Sequence, residues 1–248
     1  MNADSRRLEE HTLNSSAPPG QLLYDGWLLR FSPGKAKRAR SINAIYPSRI
    51  PLAEKVAHCE RVCGERDLPA IFRISKHTDP SSLDAMLAGL GYESFSPTEV
   101  RTSEIDPAAL AGPEVECPRL EEWFDMVGEL RGSSIAQRGA HLARLGALPL
   151  EICSAALLEA GVPMAVGLAI GEDGHAGLFD AVTREGGRRQ GRARAIVAAL
   201  LRWGWDRGAR RAYLQVEEDN APAIALYEGF GFATAYRYWY RGRPGETK

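Results

Sequence analysis

Arg188-Arg189-Gln190-Gly191-Arg192-Ala193 runs directly into Arg194-Ala195-Ile196-Val197-Ala198-Ala199-Leu200-Leu201-Arg202-Trp203. A glycine-bearing loop here feeds the start of an amphipathic helix. The first turn of a helix leaves N–H groups unpaired, and the macrodipole places positive potential at the same end, so this junction suits an anion. Gly191 and the small Ala193 let a ligand approach the backbone. A Walker loop would require Gly-Lys-Ser/Thr, which does not follow. A dinucleotide fingerprint would require a different glycine spacing. The arginines at 188, 189, 192 and 194 are also open to two plainer readings, a nucleic-acid patch or a solvated face.

Further on comes Asn220-Ala221-Pro222-Ala223-Ile224-Ala225-Leu226-Tyr227-Glu228-Gly229-Phe230-Gly231-Phe232, with the strand-like Ala212–Val216 before it. The two segments in this order resemble the GNAT superfamily of N-acyltransferases. Its pyrophosphate loop, Q/R-x-x-G-x-G/A, is matched by Arg188 to Ala193. Its later signature, N-x-x-A-x-x-L-Y-x-x-x-G-F, is matched by Asn220, Ala223, Leu226, Tyr227, Gly231 and Phe232. The likeness covers roughly residues 115–241. Members usually carry Pro near Glu185 and Gly near Arg189, and this chain has Glu185-Gly186-Gly187 instead.

The resemblance implies an α/β (α+β) fold, a mixed twisted sheet flanked by helices. It implies acetyl-CoA as co-substrate, held by Arg188, Arg189, Gln190, Gly191, Arg192, Ala193 and Arg194 together with Asn220. Backbone groups of Ala181, Val182 and Thr183 would pair with the pantetheine arm between two splayed parallel strands. The Val182 N–H would polarise the thioester carbonyl, and Tyr227 would protonate the departing thiolate. Catalysis of this kind rests on orientation, stabilisation of an oxyanion and proton transfer. For the base, Asp180 ranks first, since two residues before Val182 should place it on the same face of the pleat. Glu217, at the end of the next strand, ranks second. His175 and Glu218 are weaker candidates, and Asp219 is expected to cap the following helix.

Composition fits one large or two small domains: 248 residues, 44% hydrophobic and 25% charged, with net charge −1. So small a charge gives no global field to recruit nucleic acid or an anionic membrane. No apolar run is long enough for a membrane span, and the start of the chain lacks a signal-peptide core. Cys59, Cys63, Cys117 and Cys153 lack metal-site spacing, so no metal and a cytoplasmic setting are expected.

Along the chain, strands are expected at 26–31, 39–45, 70–74 and 99–105, with helices at 5–12, 52–64 and 82–90. After the Pro/Gly-rich 106–113, helices are expected at 120–130, 134–145 and 194–207. Strands are expected at 148–158, 163–170, 177–183 and 212–216. Leu83 to Tyr92 parallels Ala223 to Phe232, a helix followed by Gly-aromatic. The order of elements repeats, which predicts two GNAT-like domains in tandem: 1–110, degenerate and without a CoA loop, and 114–248, which binds acetyl-CoA. In the first, the equivalent loop Tyr46-Pro47-Ser48-Arg49-Ile50-Pro51 lacks glycine and has two prolines without N–H groups. The basic run Lys35, Lys37, Arg38, Arg40 is expected to be a solvated hairpin.

The functional expectation is transfer of an acetyl group to a primary amine of a small molecule, protein or peptide. Nucleic acid and membrane are not expected partners, and a homodimer is left open. The alternative is an acetyl-CoA-binding regulatory module without turnover.

Overall fold

The computed structural model describes residues 3–34 and 36–245. Two compact units emerge, Met1–Glu99 with Tyr236–Lys248, and Val100–Ala235.

The first unit contains α1 (Ala3–Asn14), β1 (Gly20–Tyr24), β2 (Trp27–Phe31), β3 (Ile42–Ala44), α2 (Leu52–Gly64), β4 (Phe72–Ser75) and α3 (Leu83–Gly89). Its strands lie in the order β1-β2-β3-β4, followed by β10 (Ala233–Gly242). β1/β2 and β2/β3 are antiparallel, β3/β4 is parallel, and β10 runs antiparallel to β4. The apolar face of α2 (Val56, Cys59, Val62, Cys63) packs with Trp27, Leu29, Phe72 and Leu87 in one core. The i, i+3, i+4 spacing of those helix positions explains why residues 52–64 fold as expected.

The second unit contains the end of β5 (Glu93–Glu104), α4 (Leu120–Arg131), α5 (Ile135–Gly146), β6 (Glu151–Glu159), β7 (Val162–Glu172), β8 (His175–Thr183), α6 (Arg192–Asp206), β9 (Arg211–Glu217) and α7 (Ala221–Glu228). Its order is β6-β7-β8-β9-β5. Again two antiparallel pairs are followed by a parallel pair, β8/β9. In both units a helix, α2 or α6, crosses between the parallel strands, as a parallel connection requires.

β7 shows how the sequence dictates the layering. Ala165 and Ala169 face the cluster that contains α6, while Val166, Leu168 and Ile170 face the one that contains α4. This is the period-2 alternation of a strand covered on both sides. The α6 side is lined with small residues because the helix sits close. A Cβ at Gly167 would lie 2.5 Å from Ile196 Cγ2, and one at Gly171 would lie 3.3 Å from Trp203.

Two expectations change. The division does not fall at 106–113. Residues 100–110 belong with the second unit, where Ile105 N–H donates to the Arg210 carbonyl (2.9 Å) and Leu110 joins the core. Residues from Tyr236 onward belong with the first, because Tyr238–Arg241 pair with β4. Trp239 and Arg241 also bind Asp84. Second, β1 is a strand ahead of those expected, and residues 37–39 form a short 3-10 turn rather than part of a hairpin. Lys37 there donates to Ser96 Oγ (2.8 Å), and Lys35 lies outside the described residues.

Candidate active site

The parallel ladder between β8 and β9 runs from His175↔Arg211 to Leu178↔Leu214 and stops. Both strands continue beyond it, as residues 179–183 and 215–217, without pairing to each other. The same point on β8 carries a bulge. Leu168 pairs with Phe179 and Val166 with Val182, so Asp180 and Ala181 together oppose Gly167. Asp180 takes the left-handed conformation, φ 51°. A bulge of this kind leaves one residue outside the ladder and re-aims the strand.

The bulge also resets which way side chains point. Phe179 and Val182, three apart, both pack in the α4/α5 cluster. Asp180 reaches the same side, where Oδ1 lies 2.9 Å from Arg131 Nη1 and Oδ2 lies 3.4 Å from His141 Nε2. Asp180 and Val182 therefore share a side as expected, but through the bulge rather than through regular alternation.

Arg131 ends α4, where Gly132 takes φ 63° and stops the helix. His141 lies on α5, which starts at a capping box: Ser134 Oγ accepts from Gln137 N–H (3.3 Å), and Gln137 returns a bond to Ser134 N–H. The His141 ring meets Phe124 edge-on, with centroids 4.9 Å apart. Neither Arg131 nor His141 carries a sequence motif; only the fold brings them to Asp180.

The glycine-bearing loop lies after β8. Gly191 takes φ 75° at the N-cap of α6, a conformation in which a side chain is strained. The first helical bond runs from Ala195 N–H to the Gly191 carbonyl (3.0 Å). The amides of Arg192, Ala193 and Arg194 thus open the helix without an i−4 acceptor. Arg189 also takes a left-handed conformation, φ 60°. Arg188, Arg189 and Gln190 are exposed, and among the described residues their side chains bind no other part of the chain.

Arg192 differs from them. Its guanidinium forms a two-pronged pair with Glu159 (2.7 Å for each prong) and donates to the Gly187 carbonyl (2.9 Å). The bond from Arg192 holds the Glu159 carboxyl below its ordinary range. Arg192 therefore braces the loop with its side chain and offers only its backbone to a ligand. Arg194 lies over the Phe230 ring, 4.5 Å from its centroid.

Asn220 caps α7. Its Oδ1 accepts from Ala223 N–H (3.3 Å), so the cap is Asn220 and not the expected Asp219. Tyr227 is half-buried on α7, edge-on to Phe232 with centroids 5.9 Å apart, and burial pushes its phenol up. The phenol is therefore a proton donor at neutral pH. After Tyr227 the helix closes with Phe232 N–H to the Tyr227 carbonyl (3.2 Å) and Gly231 at φ 79°. Arg101 holds this turn by donating to Glu228 Oε1 (2.8 Å) and the Phe232 carbonyl (3.0 Å). Glu217 is exposed at the end of β9 and accepts Asn220 N–H with its own carbonyl (3.0 Å). No metal-binding cluster and no helix long and apolar enough to cross a membrane occur among the described residues.

The first unit carries the same frame with other chemistry. Tyr92 N–H bonds the Leu87 carbonyl (3.0 Å) and Gly91 takes φ 83°, the closure seen at Tyr227–Phe232. The position matching Tyr227 is Leu87, which has no hydroxyl and is fully buried. In the loop before α2, the Asp25 carboxylate accepts from the amides of Arg49 and Ile50 (2.9 Å each). The Ile50 N–H contributes most to holding that carboxyl below its ordinary value. An internal carboxylate thus occupies two amides of the loop that leads into α2.

Known proteins resemble the chain in sequence and fold. The family described as "Probable histone acetyltransferase Rv0428c C-terminal" matches residues 152–241. The Bacillus subtilis (strain 168) protein "Uncharacterized N-acetyltransferase YobR" is 26% identical over 246 residues, covering 96% of this chain and 98% of its own. Among solved structures, a GCN5-related N-acetyltransferase from Kribbella flavida superposes with TM-score 0.71 at 17% identity, covering 99% of this chain and 97% of that one. A tandem GNAT protein from the clavulanic acid biosynthesis pathway gives TM-score 0.60 at 16% identity, over 75% and 67% of the two chains. Those two likenesses concern the fold; with the sequence matches, they make this chain similar to the GNAT superfamily of N-acetyltransferases.

Proposed function

We propose that the second unit transfers an acetyl group from acetyl-CoA to a primary amine and that the first unit performs no transfer. The observation that carries this is the junction at Gly191. Unengaged amides at the start of α6 and the exposed Arg188 and Arg189 lie after a strand that has parted from its parallel neighbour. A pyrophosphate suits those amides, as an anion suits any open helix N-terminus. The residues present fit the cofactor: Gly191 has open space around it. An extended pantetheine would lie along 179–183, where β8 has backbone to offer, with Ala181, Val182 and Thr183 its partners. Acetyl-CoA, when bound, supplies the activated acyl group.

The chain's own groups supply the rest. The Val182 N–H would polarise the thioester carbonyl as its oxygen gains charge. Tyr227, protonated and half-buried, gives its proton to the leaving thiolate. The amine nitrogen forms the C–N bond as the C–S bond breaks, and one proton leaves to solvent overall. Asp180 and Glu217 are the carboxylates nearest the strand ends from which a base would be drawn. In the first unit, Asp25 fills the loop amides and Leu87 replaces the phenol, which supports a structural role there.

The test is calorimetry with acetyl-CoA on the full chain, followed by CoA release on addition of amine pools. Saturable binding at millimolar affinity or better with turnover supports the assignment. Binding without turnover across the pools favours a regulatory module instead.

A further inference from the structure

We propose that His141 is the catalytic base of the second unit and that Asp180 is a positioning residue that orients it. This deepens the transfer reading above and rests on it. Asp180 is the carboxylate at the bulge, yet it is already committed. Arg131 lies 2.9 Å from one oxygen and His141 3.4 Å from the other. Taking a proton from an ammonium ion would cost Asp180 its pair with Arg131. An imidazole that faces the other carboxylate oxygen and keeps part of its surface open can take that proton without breaking the Arg131 pair.

The arrangement gives each member one task. The left-handed bulge residue delivers Asp180 to the helix side of the sheet. Arg131 holds one carboxylate oxygen, which leaves the other facing His141 Nε2. A carboxylate beside Nε2 favours the tautomer that carries its proton there and orients the ring. The His141 side chain keeps 25% of its surface open, so an amine or an intervening water can reach it. Phe124 fixes the ring plane from α4. Asp180, itself paired with Arg131, faces the ring, and Arg138 and Arg144 lie three residues to either side of it on α5. The proton passes from R–NH3+ to His141 and then to solvent. The freed amine attacks the thioester carbon, the C–S bond breaks, and the thiolate is protonated.

The full chain tests this in two ways. The imidazoles of its five histidines are titrated by NMR, with His141 identified by the signal lost in His141→Asn. In Asp180→Asn, His141 should titrate at lower pH than in the unaltered chain; an unmoved titration overturns the pairing. The second arm uses acetyl-CoA with two probe amines: ethylamine, an ammonium ion at pH 7, and hydroxylamine, neutral there. His141→Asn should lower kcat/KM for ethylamine at pH 7 by about 10²-fold or more, with recovery as pH rises. Hydroxylamine, which needs no deprotonation, should change by only a few-fold. Equal losses with both probes reduce His141 to a structural part and overturn the proposal. Absence of turnover by the unaltered chain with every amine tried removes the transfer reading itself, and His141's role with it.

Discussion

Lys55 Nζ lies 3.3 Å from Asp25 Oδ2 with its side chain wholly buried and its ammonium 4.2 Å from the Trp27 ring centroid. Asp25 thus answers a buried cation and two loop amides at once. Asp25→Ala leaves the cation without its counter-charge, the costly way to break such a pair. A Tm lower by on the order of 5–10 °C is expected in a thermal melt of the full chain. Lys55→Met, which removes the cation and keeps the volume, should lose much less. A larger loss in Lys55→Met than in Asp25→Ala would show that the pair is not what holds this loop.

Asp84 gives a pH-dependent signature. The bond from Arg241, helped by the bond from Trp239 and opposed by partial burial, leaves its carboxyl below the ordinary value. A depressed carboxyl contributes stability that is present above its unfolded pKa, about 3.9, and is lost as pH falls through the folded one. The Tm difference between the unaltered chain and Asp84→Asn should be full at pH 6 and shrink below about pH 4. A difference constant down to pH 2 would place the contribution in packing.

Gly191→Glu sets a negative charge on the left-handed residue at the start of α6. The surrounding space is open, so the fold should survive with about 1 kcal/mol of backbone strain. The thermal shift given by acetyl-CoA should disappear. A surviving shift would place the pyrophosphate elsewhere.

Tyr227→Phe keeps the ring against Phe232 and removes the proton donor. Turnover should fall at least about tenfold with the Kd for acetyl-CoA nearly unchanged, because a positioned acid contributes about 10²–10⁴-fold and water replaces part of it. Full turnover with chemistry rate-limiting would make Tyr227 a packing residue.

Gly167→Ala tests the seating of α6. The new methyl would meet Ile196 at 2.5 Å and Leu200 at 2.9 Å, an overpacking worth about 1–3 kcal/mol. Calorimetric melting reads the loss directly, and an unchanged melt would mean the helix shifts freely.

Some of this was legible in the chain alone because its causes are local. The loop 188–193, helix α6, the turn after Tyr227 and the antiparallel pair β6/β7 follow from glycine placement and from apolar spacing. What was not legible depends on partners far away in sequence. Nothing near Asp180 announces a bulge, whose cause is the register against Val166 and Leu168. Arg131 and His141 are ordinary helix residues until α4 and α5 fold over β8. Only Asp84 and β4, far away in sequence, reveal which unit Tyr238–Arg241 complete. Asp219 and Asn220 are both good caps by type, and the backbone chooses Asn220.

β10 gives the chain an unusual order of assembly. During synthesis, residues up to 99 emerge before residues 100–235, yet the strand that lies beside β4 follows them. The early segment must wait on the ribosome with that edge of β4 unpaired, while the intervening segment can fold on its own schedule. Cutting the gene at any single point between the units therefore yields a front piece that lacks a strand.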